Sequence, residues 1–268
     1  MRKYFFSLMF MLVAALTFSS FVMAQNQGGA GAPGAPAARP ETKPWNLPEQ
    51  PRTTPPNAPV ARPPLVFKQE WKMPAGAQGP SNPDPCCWVM SQDSVATPNV
   101  TLKVYGPLNN WAMVGNPGDE GNPIHSWTGL CPQACALTFA DKNNYVDLTK
   151  GKIRWNTKVV GFHVVRPVLK LADGTYLIGD LADGATGDWK VSEFYPSEVR
   201  WLRMDSDRVT GYGNWITKPD LTKVDEIGYA DIVAGSAHNG SAGIDVATME
   251  VYGKPVSRSG TVQSELSK

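Results

Sequence analysis

Apolar and polar residues alternate through much of this chain, and this period of two limits it to a sheet-based fold. The stretch 153–158 alternates residue by residue, and the stretches 199–204, 224–233 and 244–252 are similarly rich in β-branched and aromatic residues. Turn signals such as Asp173-Gly174 separate these runs at short intervals, and helical periodicity is scarce. We therefore predict an all-β fold, an antiparallel β-sandwich.

Charge and motif content argue against several classes of function. The chain has 25 basic and 24 acidic residues, and nucleic-acid binding relies on a basic excess that is absent here. We find no internal repeat, no Gly-rich phosphate loop and no G-x-S-x-G nucleophile elbow. Nucleotide chemistry and serine-hydrolase chemistry are therefore not expected, and neither is a nucleic-acid partner.

The N-terminus has the pattern of an export leader. Arg2 and Lys3 precede an apolar run from Tyr4 to Val22, and Val22-Met23-Ala24 offers a signal-peptidase site. We predict that residues 1–24 are a signal peptide cleaved after Ala24 and that the protein is secreted or periplasmic. No second apolar run follows, so we expect no transmembrane segment after cleavage.

Composition divides the rest of the chain into three parts. Residues 25–64 contain eleven prolines among Gly, Ala, Thr and Arg, which predicts a disordered linker because little apolar surface is available to offset ordering entropy. This linker is either an inert tail or a spacer that holds a domain away from a cell surface. Residues 65–256 have the length of one β-sandwich domain, and residues 257–268 are predicted to be a disordered tail.

All four cysteines, Cys86, Cys87, Cys131 and Cys135, lie in the first half of the predicted domain. An exported chain meets an oxidising compartment, so disulfides are expected. Three connectivities are possible, and we favour the two that link the Cys86-Cys87 pair to the Cys131/Cys135 pair. A vicinal bridge is strained, whereas closing a loop of about 45 residues stabilises by roughly 4 kcal/mol in the chain-entropy model. A zinc site is the alternative, although the cysteine spacing departs from C-x2-C.

The C-terminal third resembles a known fold family. Val199-Arg200-Trp201-Leu202 is followed by Val224-Asp225-Glu226-Ile227-Gly228-Tyr229 and by a last strand that begins at Asp245 and contains Glu250. This order is similar to the end of a galactose-binding-like jelly roll, as in carbohydrate-binding modules and complex I intermediate-associated proteins. The resemblance covers about Asp188-Gly253 and implies a jelly-roll topology and carbohydrate as the partner.

The same resemblance implies a structural calcium ion, with Asp245 and Glu250 as the ligands that this sequence offers. Calcium takes six to eight oxygen ligands, so two carboxylates are a small part of a site. In a regular strand their odd separation places them on opposite faces, unless a bulge intervenes. The alternative is that both are ordinary solvated strand charges.

Sugar binding needs aromatic planes and fixed polar groups, and the middle of the chain supplies both. We predict that neighbouring strands pair in register and form one polar, basic face for an anionic or hydroxylated ligand. Alternatively, the cations face solvent and the tryptophans belong to the core. The predicted ligand-binding residues are Trp127, Arg154, Lys158, Arg166, Lys170 and Trp189.

An enzyme is the main alternative to a binding protein. A glycoside hydrolase needs two carboxylates about 5 to 10 Å apart, and Asp180 and Glu193 are candidates beside Trp189. A polysaccharide lyase needs a base beside a cation, which His163 could supply with Arg166. We therefore expect an exported carbohydrate-binding protein, with a sandwich-fold glycosidase or lyase as the first alternative and a non-catalytic cell-surface interaction protein as the second.

Overall fold

A computed structural model describes residues 62–74, 87–115, 121–235 and 242–258. The predicted signal peptide, nearly all of the predicted linker and most of the predicted C-terminal tail lie outside these ranges. Within them, no helix has the length and apolar composition needed to cross a membrane.

The described residues form strands and three single-turn 3-10 helices, which are Gln92–Ser94, Asn109–Trp111 and Pro196–Glu198. The strands are β1 (Leu65–Glu70), β2 (Cys87–Val89), β3 (Val100–Tyr105), β4 (Met113–Gly115), β5 (His125–Trp127), β6 (Cys135–Asp141), β7 (Asn144–Val160), β8 (Val165–Leu171), β9 (Tyr176–Gly179), β10 (Lys190–Phe194), β11 (Trp201–Asp205), β12 (Thr210–Ile216), β13 (Val224–Asp231) and β14 (Gly243–Ser257).

The strands form two layers in which every described pairing is antiparallel. In the first layer, β7 lies between β10 and β14. Strand β14 also pairs with β1 and with β5, β5 pairs with β4, and β4 pairs with β2. In the second layer the order is β3-β6-β13-β8-β9-β11-β12. A single register pair, Val146 opposite Val224, connects the two layers through β7 and β13. The predicted all-β, antiparallel β-sandwich fold is confirmed.

The core lies between the layers. On β7, Ile153 and Trp155 are buried while Arg154 is exposed, as the alternation predicted. Most buried apolar residues of both layers belong to one cluster, and a smaller second cluster that includes Val168 and Ile178 lies on the second layer. A polar contact also crosses the core, because the Ser126 Oγ of β5 lies 2.5 Å from the Tyr229 hydroxyl of β13. Burial of apolar side chains in these clusters is the main favourable contribution to folding.

The side of the first layer that faces away from the core is called the outer face. The alternation places Arg154, Asn156 and Lys158 of β7 on it, as predicted. A bulge between Val246 and Thr248 shifts the register of β14 against β7. An extra residue in one strand reverses the later alternation, so Asp245 and Glu250 both lie on the outer face.

The predicted pairing of β7 with β8 is wrong. After β7 the chain crosses to the second layer, where Val165–Leu171 pairs with β13 and β9. Arg166 and Lys170 therefore lie on a different layer from Arg154 and Lys158, and the single basic face does not form. Alternation within each strand was correctly predicted, but the crossover between layers has no signature in local sequence.

The favoured disulfides are also absent from the structure. Cys131 and Cys135 are buried free thiols, so neither bridges to Cys86 or Cys87. Cys87 is disulfide-bonded, and Cys86 lies outside the described residues. Cys131 and Cys135 instead contact each other, since a hydrogen bond joins their side chains.

Candidate functional site

A cluster of aromatic and ionisable side chains lies on the outer face where β5, β14 and β7 adjoin. In the register of these strands, Asp245 of β14 is opposite Trp127 of β5 on one side and Lys158 of β7 on the other. His125 is two residues before Trp127 and therefore shares its face. We call these four residues, together with Trp189 and Asn122, the Asp245 site.

Trp189 completes one wall of the Asp245 site from the segment before β10. Its ring meets the His125 ring edge to face, with centroids 5.4 Å apart and planes at 62°. The indole Nε1 donates a hydrogen bond to Oδ1 of Asn122 at 3.0 Å, which fixes the ring orientation. Trp189 is only partly buried, so part of this fixed aromatic surface is open to a ligand.

The tautomer of neutral His125 follows from its backbone contact. Nδ1 lies 2.7 Å from the carbonyl oxygen of Pro123, and a carbonyl can only accept, so Nδ1 carries the proton. Nε2 is then an acceptor, and it lies 3.7 Å from Oδ1 of Asp245. Burial lowers the pKa of His125, and the nearby charge of Lys158 adds to this effect.

Asp245 differs from the other strand carboxyl groups of the outer face in its raised pKa and in the absence of an ion pair with lysine or arginine among the described residues. Burial raises its pKa to about 7, although the charge of Lys158 acts in the opposite direction. Other carboxylates of this face are paired with lysine or arginine: Glu193 with Lys152 at 2.7 Å, Glu250 with Arg154 at 3.8 Å and Glu70 with Lys68 at 2.6 Å. Asp245 therefore exchanges a proton near neutral pH, and it can donate or accept a hydrogen bond.

Three of the six predicted ligand-binding residues, Trp127, Lys158 and Trp189, are brought together in the Asp245 site. Arg154 lies on the same face, but four residues from Lys158 along β7, or about 13 Å at the usual rise. Arg166 and Lys170 lie on the second layer. The two central tryptophans of the core, Trp155 and Trp201, are fully buried and cannot contact a ligand.

Lys170 belongs to a network around a buried carboxylate. Its Nζ lies 3.0 Å from Oε1 of Glu226 and 3.1 Å from Oδ2 of Asp225. Glu226 also accepts hydrogen bonds from Lys103, Tyr105 and Thr138 at 2.6, 2.8 and 2.6 Å. Burial alone would raise the pKa of Glu226, but these donors outweigh it and lower the pKa. The role that this environment gives Lys170 is structural.

The three catalytic candidates are not brought together. Asp180 accepts a hydrogen bond from Arg200 Nε at 2.6 Å on the second layer, whereas Glu193 lies on β10 of the first. His163 is buried, and its Nδ1 lies 2.8 Å from Oδ2 of Asp231, which also accepts from Thr128. Arg166 pairs in register with Ala230, on the opposite side of the strand from the buried Tyr229 and Asp231. A base-and-cation arrangement of His163 and Arg166 is therefore not seen.

The predicted calcium ligands do not form a shared site. Although the bulge puts Asp245 and Glu250 on one face, their register partners Lys158 and Arg154 are about 13 Å apart along β7. Calcium binds oxygen at 2.3–2.6 Å, so one ion does not reach both carboxylates. In the described part of the chain, no group of three His, Cys, Asp or Glu residues is arranged to hold a metal ion.

The ligand-binding residues predicted from the sequence did not include His125 or Asn122, and Asp245 was predicted only as a calcium ligand. The position of His125, two residues before Trp127, was a sequence signal that the two side chains share a face. The contact with Asp245 could not be predicted, because it joins residues 120 positions apart.

Comparisons with known proteins give weak likenesses only. No protein-family model matches this chain, and no curated protein matches it significantly. Among solved structures, PfGH50B is similar over 59% of this chain and 23% of its own, with 11% identity and a TM-score of 0.36. An exo-beta-agarase is similar over 65% and 25%, with 8% identity and a TM-score of 0.33.

A family 11 carbohydrate-binding module of a cellulosomal cellulase from Clostridium thermocellum is similar over 58% of this chain and 82% of its own. The identity is 14% and the TM-score is 0.29. This chain spans about a quarter of the length of the first two proteins. At these values the likenesses carry no functional argument.

Proposed function

We propose that this protein binds carbohydrate at the Asp245 site. The observation that carries the proposal is the position of Asp245 between Trp127 and Lys158, with His125 and Trp189 alongside, on an outward-facing sheet surface. Sugars present apolar ring faces and many hydroxyl groups, so they are recognised by aromatic planes together with fixed donors and acceptors.

The hydrogen-bonding groups of the Asp245 site suit hydroxyl groups, which both donate and accept. Lys158 supplies donors only, neutral His125 offers an acceptor at Nε2, and Asp245 does either according to its proton. The long separation of 3.7 Å between His125 and Asp245 means that they do not saturate each other. A sugar hydroxyl can bond to both.

The charge pattern favours binding over hydrolysis. A glycosidase needs a second carboxylate about 5 to 10 Å from the acid, and the outer-face strand carboxylates Glu70, Glu193 and Glu250 are engaged with cations. The leader predicted at residues 1–24 supports binding outside the cytoplasm, in a secreted or periplasmic protein. The predicted linker would then be either an inert tail or a spacer that holds the domain away from a cell surface.

Affinity electrophoresis and calorimetry with cellulose oligosaccharides, mixed-linkage β-glucan, agarose and polygalacturonate test the proposal. At least one of these probes should bind, and Trp189→Ala should weaken its binding about tenfold or more, since loss of stacking removes roughly 1–2 kcal/mol. Trp189 is only partly buried, so Trp189→Ala should remain folded, which its melting temperature checks.

Trp215→Ala is the matched control, because Trp215 is an exposed tryptophan on the second layer. It should bind the sugar like the wild type. The proposal is wrong if no probe binds, or if Trp189→Ala and Trp215→Ala weaken binding equally.

A further inference from the structure

The second layer contains a cleft that the Asp245 site does not use. It lies over β8, β9, β11 and β12 and has a volume of about 440 Å³, within the range of small-molecule pockets. Its walls are mostly aliphatic, formed by Ile178, Leu202, Val209 and Ile232. Arg166 and Thr210 supply its polar side chains, and Trp215 supplies an aromatic one.

Arg166 is an unneutralised cation in this apolar cleft. Its Nη1 donates to the carbonyl oxygen of Gly179 at 3.3 Å, and this is its one hydrogen bond within the described part of the chain. Its Nε is buried without a partner, and no described carboxylate lies within 4 Å of the guanidinium. Partly buried charges in proteins are normally paired, so the environment of Arg166 suits an anionic ligand.

Trp215 forms the aromatic wall. The Arg200 guanidinium lies 4.9 Å from the centroid of its ring, and Asp180 holds Arg200 through an ion pair of 2.6 Å. These contacts fix the indole, which is still 46% exposed. Because Asp180 neutralises Arg200, the unbalanced positive charge of the cleft is that of Arg166.

We infer that this cleft binds a small aromatic carboxylate, with its carboxylate on the Arg166 guanidinium and its ring between Trp215 and the aliphatic wall. Arginine bonds a carboxylate through two parallel N–H groups, and its Nη atoms provide them. The apolar walls select a ring over a sugar, because they offer few partners for hydroxyl groups. This site is on the opposite layer from the Asp245 site and does not depend on the proposed function.

Calorimetry with 2-naphthoate tests the inference, and 2-naphthamide is the probe of equal shape without charge. The wild type should bind naphthoate at least tenfold more tightly than the amide, because a hydrogen bond between charged groups changes the affinity by about tenfold or more. Arg166→Gln should remove that preference. Lys142→Gln, which removes a positive charge at an exposed turn between β6 and β7, is the matched control and should keep it.

A pair of variants at Ile232 tests the inference if Arg166→Gln does not fold. Ile232 lines the cleft and is 40% exposed, so charged substitutions there are tolerated more readily than in the core. Ile232→Asp should weaken naphthoate binding several-fold, and Ile232→Lys should preserve or strengthen it. The inference is overturned if naphthoate does not bind the wild type at millimolar concentration, if the amide binds equally well, or if the two Ile232 variants bind alike.

Discussion

Nε2 of His125 faces Oδ1 of Asp245 across 3.7 Å, and both groups are displaced towards their neutral forms. Burial lowers the pKa of the imidazole and raises that of the carboxyl to about 7. An acceptor nitrogen thus lies beside a carboxyl group that holds its proton into the neutral range. The pair is held by β5 and β14, strands whose register fixes its position.

The raised pKa of Asp245 makes stability depend on pH. The folded protein binds the proton up to about pH 7, whereas an unfolded carboxyl releases it near pH 4. Between these values the folded state binds more protons, so stability falls as pH rises through this window. Relative to Asp245→Asn, which is neutral throughout, the wild type should lose about 2–4 kcal/mol of unfolding free energy between pH 4 and pH 8.

Urea unfolding of both proteins across this pH range measures the difference. His125→Gln should retain the loss of stability that Asp245 causes, because burial rather than the imidazole raises the pKa of Asp245. The fall with pH should be steeper than in the wild type, because the lowered pKa of His125 makes its own contribution to stability rise with pH. Parallel stability curves for the wild type and Asp245→Asn would contradict the expectation.

Glu226 anchors the largest polar network of the second layer, and its loss should be costly. Its carboxylate is 1% exposed and accepts from two lysines, a tyrosine and a threonine. Glu226→Gln should destabilise the fold by about 3–5 kcal/mol, the usual cost of breaking a buried charged network. Glu193→Gln breaks one partly exposed pair with Lys152 and should cost below about 1 kcal/mol. Equal costs for the two variants in chemical denaturation would contradict this assignment.

Local pattern predicted the elements of this fold better than their arrangement. Alternation over 153–158 gave the correct buried and outward faces of β7, because the side-chain period of a strand is a local property. The partner of β8 was wrongly predicted, because pairing depends on contacts between distant segments. Arg166 consequently lies on a different layer from Arg154, and the two contribute to separate surfaces.

The bulge in β14 shows a second limit of sequence reasoning. Regular alternation placed Asp245 and Glu250 on opposite faces, and the structure unites them on one face through the shift between Val246 and Thr248. No glycine or proline between Val246 and Thr248 marks that bulge in the sequence. The Asp245 site depends on three strands and the segment before β10, so its residue types were visible in the sequence but their proximity was not.

Gly228 is required by close packing at the centre of the second layer. It pairs with Thr138 on one side and Val168 on the other, and an added Cβ would lie 1.9 Å from the Leu137 carbonyl oxygen. Backbone cannot yield as a flexible side chain does, so Gly228→Ala should cost about 3 kcal/mol or more, or prevent folding. At Gly184 the nearest atom to an added Cβ is 3.9 Å away, and Gly184→Ala should change stability by less than about 1 kcal/mol. Thermal melting of both variants checks the contrast, and similar melting temperatures would contradict it.

Cys131 and Cys135 should be protected from alkylation while the protein is folded. Both are 1% exposed, and their mutual hydrogen bond, burial and the charge of Asp231 raise the pKa of the Cys135 thiol. The reactive species is the thiolate, so modification by iodoacetamide requires local or global opening. After mild reduction, mass spectrometry of the peptide that contains both residues should show labelling at least a hundredfold slower in the folded protein than in urea. Equal rates would contradict the buried position. A mass lower by two hydrogens before reduction would show that the two residues bridge each other, and would exclude the favoured links to Cys86 and Cys87.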